Sequence, residues 1–181
     1  MKITFKRILL GSLGIIILII GFAWWNSGRE INTTKPCAFC DPNVIETHTF
    51  YEDALVRGFC SYKPIQPGHC LVTVKRHIER FEDVTDEELV AMGKLIKKIN
   101  AAIQKINGPS AYLLMQKNGK DVGQTVPHVH IHYIPRNETD SQKAPTWGLL
   151  WPFVIDPFKK PLPREKHMEW VEKMKKALAS T

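Results

Sequence analysis

Apolar residues are spaced in three different ways along the chain, and each spacing predicts a different element. From Ile8 to Trp25 they run on without a charge, a stretch that as a helix spans roughly 27 Å, close to a bilayer core. From about Asp86 to Asn107 they recur at helical spacing: Leu89, Met92, Leu95, Ile96, Ile99, Ile103 and Ile106 form one stripe. Thr85 is placed as the N-cap, Glu88 completes a capping box, and Gly108 ends the helix. A second helix is predicted from about Arg164 to Leu178, with Met168, Val171, Met174 and Leu178 on one face. Between these lie short β-branched and apolar runs: His48 to Glu52, Ala54 to Cys60, Cys70 to Lys75 and Ala111 to Gln116. A proline- and glycine-bearing turn, Lys63 to Gly68, separates the second from the third. Sequential strands around one long helix predict an α+β domain with an antiparallel sheet.

The last rhythm is the most specific. In Pro127-His128-Val129-His130-Ile131-His132-Tyr133-Ile134, three histidines alternate with apolar residues. On a strand, His128, His130 and His132 project from one face, with same-face neighbours roughly 6.6 Å apart. Two adjacent histidines can share a metal, but all three on a regular strand cannot, so at least one is free for proton transfer or attack on phosphorus. The competing reading is a buried polar ladder or a surface histidine tract.

Composition and charge narrow the setting. The chain has 181 residues, 44% of them hydrophobic, which suits one modest domain with accessory segments. We divide it into an N-terminal segment 1–30, a linker 31–36, a domain 37–137 and a C-terminal extension 138–181. Lys2, Lys6 and Arg7 precede the apolar stretch, and Trp24 and Trp25 fall where an interfacial belt sits. An uncleaved single-pass transmembrane helix is the first reading; a cleaved signal peptide and a buried helix are the alternatives. The positive-inside rule places the domain outside the cytoplasm. Net charge is +7, which favours anionic substrates or a lipid surface, while the absence of a dense basic run makes a nucleic acid an unlikely partner. The segment Trp147 to Phe158 is rich in tryptophan, phenylalanine and proline; it packs on the domain, lines a cleft or rests on a membrane.

The run Gly123-Gln124-Thr125-Val126-Pro127-His128-Val129-His130-Ile131-His132-Tyr133-Ile134-Pro135-Arg136 resembles the signature of the histidine triad (HIT) superfamily of nucleotide hydrolases and transferases. Cys37-Ala38-Phe39-Cys40 resembles the zinc-binding start of many bacterial members, and Pro67-Gly68-His69-Cys70-Leu71-Val72-Thr73-Val74-Lys75-Arg76-His77 resembles the family's Pro-Gly-His strand. The resemblance covers roughly residues 36 to 137. It implies a HIT-like antiparallel sheet with a long central helix, to which the sequence adds the C-terminal helix and the preceding transmembrane helix. It implies His130 as nucleophile toward an α-phosphorus, with a nucleotidyl-histidine intermediate, and His132, Gln124 and Thr125 as donors to the phosphate or leaving group. Homodimer formation is a further expectation from the family.

Cys37, Cys40, His77 and His128 form a second constellation. Cys-x-x-Cys alone reads equally as a redox pair, a disulfide or half a zinc site; the resemblance favours a structural zinc, and no organic cofactor is expected. Cys60 and Cys70 flank the turn and either face each other as a disulfide or remain two buried thiols. His69 reads as structural, and His48 and His167 as surface or packing residues. The sequence also departs from the family: Ser61 stands where an Asp or Asn often contacts ribose, and Asn118 stands near the position of a phosphate-contacting amide. With His128 and Thr125 these complete the candidate substrate contacts. The function implied is hydrolysis or nucleotidyl transfer on nucleoside phosphoramidates or dinucleoside polyphosphates. A non-catalytic, zinc-stabilised nucleotide-binding adaptor at the membrane, and an exported thiol-redox protein using Cys37 and Cys40, are the alternatives.

Overall fold

Five antiparallel strands build the sheet in the order β1-β2-β3-β5-β4, with β1 as Thr49–Glu52, β2 as Val56–Cys60, β3 as Cys70–Val74, β4 as Ala111–Gln116 and β5 as His130–Arg136. The structure, a computed structural model, describes residues 36–108, 111–136 and 160–180. The apolar stretch 8–25, most of the linker and the aromatic segment 147–158 lie outside the described residues. Among the described residues no helix is long and apolar enough to cross a membrane.

Among the described residues three α-helices accompany the sheet: α1 (Pro42–His48), α2 (Asp86–Asn107) and α3 (Arg164–Ala179). α2 starts and stops where its sequence signals lie. The Thr85 side chain accepts from the Glu88 amide, the Glu88 carboxylate accepts from the Thr85 amide at 2.9 Å, and Gly108 closes the helix at φ +79°. α1 has no counterpart in the periodicity analysis. It is seven residues long, too short for an apolar stripe, and is started by Asp41, whose side chain accepts from the Asn43 amide at 2.8 Å, with Pro42 in its first turn.

Period-two alternation divides the sheet into two faces. Val56, Cys60, Cys70, Val72, Val74 and Tyr133 face α2 and α3, where Met92, Leu95, Ile99, Ile103, Val171 and Met174 are all but fully buried against them. Each such side chain contributes about 1.5–3 kcal/mol relative to exposure. α3 therefore belongs to the same core as the sheet, although it lies beyond the predicted domain limit. Its buried line is His167, Val171, Met174 and Ala177, one residue off the predicted stripe at both ends, because a histidine takes the first inward position. Cys60 and Cys70 sit directly across from each other in the β2–β3 register as free buried thiols, with the Cys70 thiol directed at the Gly68 carbonyl at 3.2 Å.

The other face carries a different row of residues. Arg57, Phe59 and then Ser61 follow one another on the β2 side; Thr73, Leu71 and His69 on the β3 side; His130 and His132 on β5; Met115 on β4. Thr73 pairs with His130, and Leu71 with His132, which in turn pairs with Met115. The candidate chemistry is thus concentrated on the face that the two long helices do not cover.

Candidate functional site

His128 precedes β5 rather than lying on it, so the predicted single line of three histidines is broken after the first. Each ring is then held by a different partner. His128 donates from Nε2 to the Val74 carbonyl at 2.9 Å, which leaves Nδ1 as a lone pair aimed at two thiols, 3.4 Å from Cys37 Sγ and 3.6 Å from Cys40 Sγ. His77 Nδ1 stands 3.5 Å from Cys40 Sγ. The four ligand atoms all lie within 4.8 Å of one another. Zinc–sulfur bonds of about 2.3 Å and zinc–nitrogen bonds of about 2.0–2.1 Å at tetrahedral angles place sulfur and nitrogen about 3.5 Å apart, so the donor set and its spacings fit zinc. Burial pushes the Cys37 thiol up to about 11, and thiolate ligation requires loss of that proton on metal binding.

His130 donates from Nδ1 to the carbonyl of His128 at 2.7 Å. Its Nε2 is therefore the unprotonated nitrogen. Burial holds the ring below the ordinary histidine range, which keeps that lone pair free at neutral pH. Phe39, from the Cys-x-x-Cys turn, packs edge-on against His130 at 5.1 Å between centroids and stacks on Phe59 at 5.3 Å. The Cys-x-x-Cys segment thus also walls the His130 ring.

His132 lies 4.9 Å from His130 between ring centroids. Its tautomer is set by His69, which the sequence reading treated as structural only. His69 Nδ1 accepts from the Ile65 amide at 3.1 Å, so this ring is neutral with its hydrogen on Nε2. That Nε2 lies 3.0 Å from His132 Nδ1 and donates to it. Burial drives His132 down to about 2, so it too is neutral and carries its hydrogen on Nε2. The result is one acceptor nitrogen on His130 beside one donor nitrogen on His132. The sequence holds a signal for His69, since it alternates with Leu71 and Thr73, but using it requires knowing that β3 pairs with β5.

The remaining predicted residues are placed as follows. Gln124 is buried, and its carboxamide is fully engaged: Oε1 accepts from Gly119 N at 2.6 Å, and Nε2 donates to Glu79 O at 3.0 Å and Val126 O at 3.1 Å. It braces the loop that leads into the histidines. Asn118 is likewise engaged, accepting from Phe81 N at 2.9 Å and donating to Glu82 at 2.8 Å. Thr125 is exposed beside them. Ser61 is buried at the end of β2, its amide donating to the His69 carbonyl at 3.0 Å. His48 and His167 pack against each other, their rings 4.3 Å apart, with His48 also against the Tyr62 ring. Lys117, just past β4, lies near enough to His130 and His132 for its charge to help hold both rings neutral.

A family model described as "HIT domain" matches residues 43–139. The bis(5'-nucleosyl)-tetraphosphatase (asymmetrical) of Schizosaccharomyces pombe is 40% identical over 96 residues, covering 53% of each chain. The adenosine 5'-monophosphoramidase of the same organism is 35% identical over 124 residues, covering 67% of this chain and 87% of that one. Among solved structures, the Caenorhabditis elegans NitFhit protein superposes with a TM-score of 0.58 at 30% identity, covering 72% of this chain and 27% of that one. The chain thus spans about half the length of the tetraphosphatase and about a quarter of NitFhit.

Proposed function

The chain belongs to the HIT-domain family, and on that premise we propose that it is a nucleotide hydrolase acting at an α-phosphate through a nucleotidyl-histidine. The observation that carries this reading is the pairing of an unprotonated His130 Nε2 with a protonated His132 Nε2 on one sheet face. Relatives named for hydrolysis of dinucleoside polyphosphates and of adenosine phosphoramidate support the substrate range.

His130 Nε2 attacks phosphorus, forming an N–P bond as the bond to the leaving group breaks; a leaving oxygen departs with the electron pair as an anion, and a leaving nitrogen takes a proton from solvent as it departs with the pair, as a neutral amine. His132 donates to a phosphoryl oxygen, where negative charge concentrates. Water then attacks phosphorus, the N–P bond breaks, and the nucleoside monophosphate leaves. Thr125 stands at the mouth as a further donor, Ser61 contacts the ribose, and Gln124 holds the loop rather than touching substrate. Cys37, Cys40, His77 and His128 would hold a zinc ion whose part is structural, fixing the turn that carries Phe39 against His130. The apolar stretch 8–25 would anchor this domain to a membrane, on the outer side by the charge rule. The exposed edge strand β4, with Tyr112 and Leu114 each 43% exposed, is the surface on which a second copy would pair to form a homodimer.

The test is release of AMP or GMP by the full-length chain from a dinucleoside polyphosphate and a nucleoside phosphoramidate, with His130→Ala alongside. Release that disappears in the variant is the expected result. Nucleotide bound by the zinc-loaded protein without turnover would move the reading to a non-catalytic adaptor.

A further inference from the structure

The geometry points to Lys117 as a specificity-determining residue that binds the anionic leaving group, so that dinucleoside polyphosphates are preferred over substrates with a neutral amine leaving group. This rests on the reading of His130 as nucleophile and names the substrate class of that site.

Three observations converge on Lys117. The first is register. Met115 pairs with His132 and Gln116 with Ile131; one position further, Lys117 falls opposite His130, with the period-two alternation putting it on the same face as both histidines. The second is the loop across from it. A Cβ built on Gly123 would lie 3.5 Å from the Lys117 ammonium, an ordinary contact distance, so the lysine lies against the backbone of the turn that leads into the histidines. Gly123 has φ +82°, which favours glycine there on conformational grounds. The third is charge. Among the described residues Lys117 has no ion-pair partner, and it is half-buried rather than extended into solvent. An unpaired, half-buried cation next to two rings that are neutral is poorly solvated, and an anion is the ligand that satisfies it.

Its side of the site identifies which anion. Strand order puts Ser61, at the end of β2, on one side of the histidine strand, and Lys117, after β4, on the other. With the nucleoside held toward Ser61, the groups beyond the scissile bond extend toward Lys117. In a dinucleoside polyphosphate those groups are phosphates, and the bridging oxygen gains charge as its bond to phosphorus breaks; an ammonium there is stabilising in the transition state. In a phosphoramidate the departing group is an amine, and a cation offers it nothing.

The experiment compares wild type, Lys117→Ala and Lys117→Arg on diadenosine triphosphate and on adenosine 5'-phosphoramidate. Loss of one charge-assisted contact corresponds to a drop of about 10- to 100-fold in kcat/KM. That drop is expected for Lys117→Ala in the ratio of kcat/KM on diadenosine triphosphate to kcat/KM on the phosphoramidate, which cancels any shared effect on the two histidines, with Lys117→Arg restoring most of it. Equal losses on both substrates, or no loss on either, overturns the assignment. A binding arm decides the case independently of turnover: calorimetry with AMP and with a methylene-bridged diadenosine triphosphate. Lys117→Ala should weaken the second about 10-fold more than it weakens AMP. If wild type hydrolyses neither substrate, the nucleophile reading fails, while the ratio of the two affinities still settles the place of Lys117.

Discussion

His69 is the residue whose two nitrogens do separable work, and two substitutions divide them. Asparagine at this position reproduces the Nδ1 acceptor with its Oδ1, keeping the bond from the Ile65 amide (3.1 Å in the wild type), but does not reach His132. Glutamine reproduces the Nε2 donor, keeping the contact to His132 Nδ1 (3.0 Å), and gives up the Ile65 bond. A neutral hydrogen bond is worth about 0.5–1.5 kcal/mol net, and a buried group left unpaired costs about 1–3 kcal/mol. His132 is half-buried, and leaving its Nδ1 unpaired in His69→Asn should, at about 1.4 kcal/mol per decade, drop kcat/KM about 10- to 100-fold. His69→Gln should keep activity within about 5-fold and instead lose about 1 kcal/mol of stability, lowering Tm by about 2–4 °C. The assays are AMP release, thermal melting, and long-range proton–nitrogen spectra of the imidazoles. The spectra should show the His132 hydrogen on Nε2 in wild type and His69→Gln, and a mixed tautomer in His69→Asn. Equal loss of activity in both variants, or an unchanged tautomer in His69→Asn, would refute the relay.

Other expectations follow from the same geometry. Cys40→Ser should abolish zinc binding, read as metal per chain by elemental analysis, and lower Tm by about 6–12 °C if the site carries about 3 kcal/mol of folding free energy. His167 is 5% exposed, both its ring nitrogens are without a described partner, and burial holds it down to about 4. Its depressed folded value means the unfolded chain takes up the proton first, so stability present above pH 6.5 is lost as pH falls toward 4. His167→Leu should flatten the decline in stability between pH 7 and 5 by about 1–2 kcal/mol, measured by denaturant melts. Gly58→Ala should destabilise by about 1–3 kcal/mol, because the added Cβ would stand 2.8 Å from the Phe50 ring; an unchanged Tm would contradict that packing. Leu114→Glu should convert any dimer to monomer in sedimentation without altering the monomer's fold.

How much was legible depended on how local the determinant was. α2 was readable from end to end because its cap, stripe and stop are all encoded within a turn of where they act. β4 was readable from its own composition, and the histidine run from its alternation. α1 was not, being a single short helix set by Asp41 and Pro42 alone. Asn118 was placed near phosphate because its neighbours in sequence suggested it, but its amide is taken up by Phe81 and Glu82, more than thirty positions away. His69 and Lys117 depend on strand pairing: one acts through β3 against β5, the other through the end of β4. No window along the sequence contains either contact.

The three histidines illustrate why alternation alone underdetermines chemistry. Spacing made them look equivalent, yet each is assigned its task by the acceptor or donor that its ring meets. Val74 takes a hydrogen bond from His128 Nε2 and so leaves the Nδ1 lone pair aimed at the two thiols. The His128 carbonyl takes one from His130 Nδ1 and so leaves Nε2 unprotonated. His69 gives one to His132 Nδ1 and so leaves Nε2 as a donor. Two of these partners are main-chain carbonyls, which side-chain substitution cannot remove, and the third is a side chain. The first two assignments are therefore properties of the backbone path, whereas the donor role of His132 is the one step of the site that a single substitution, at His69, can rewrite.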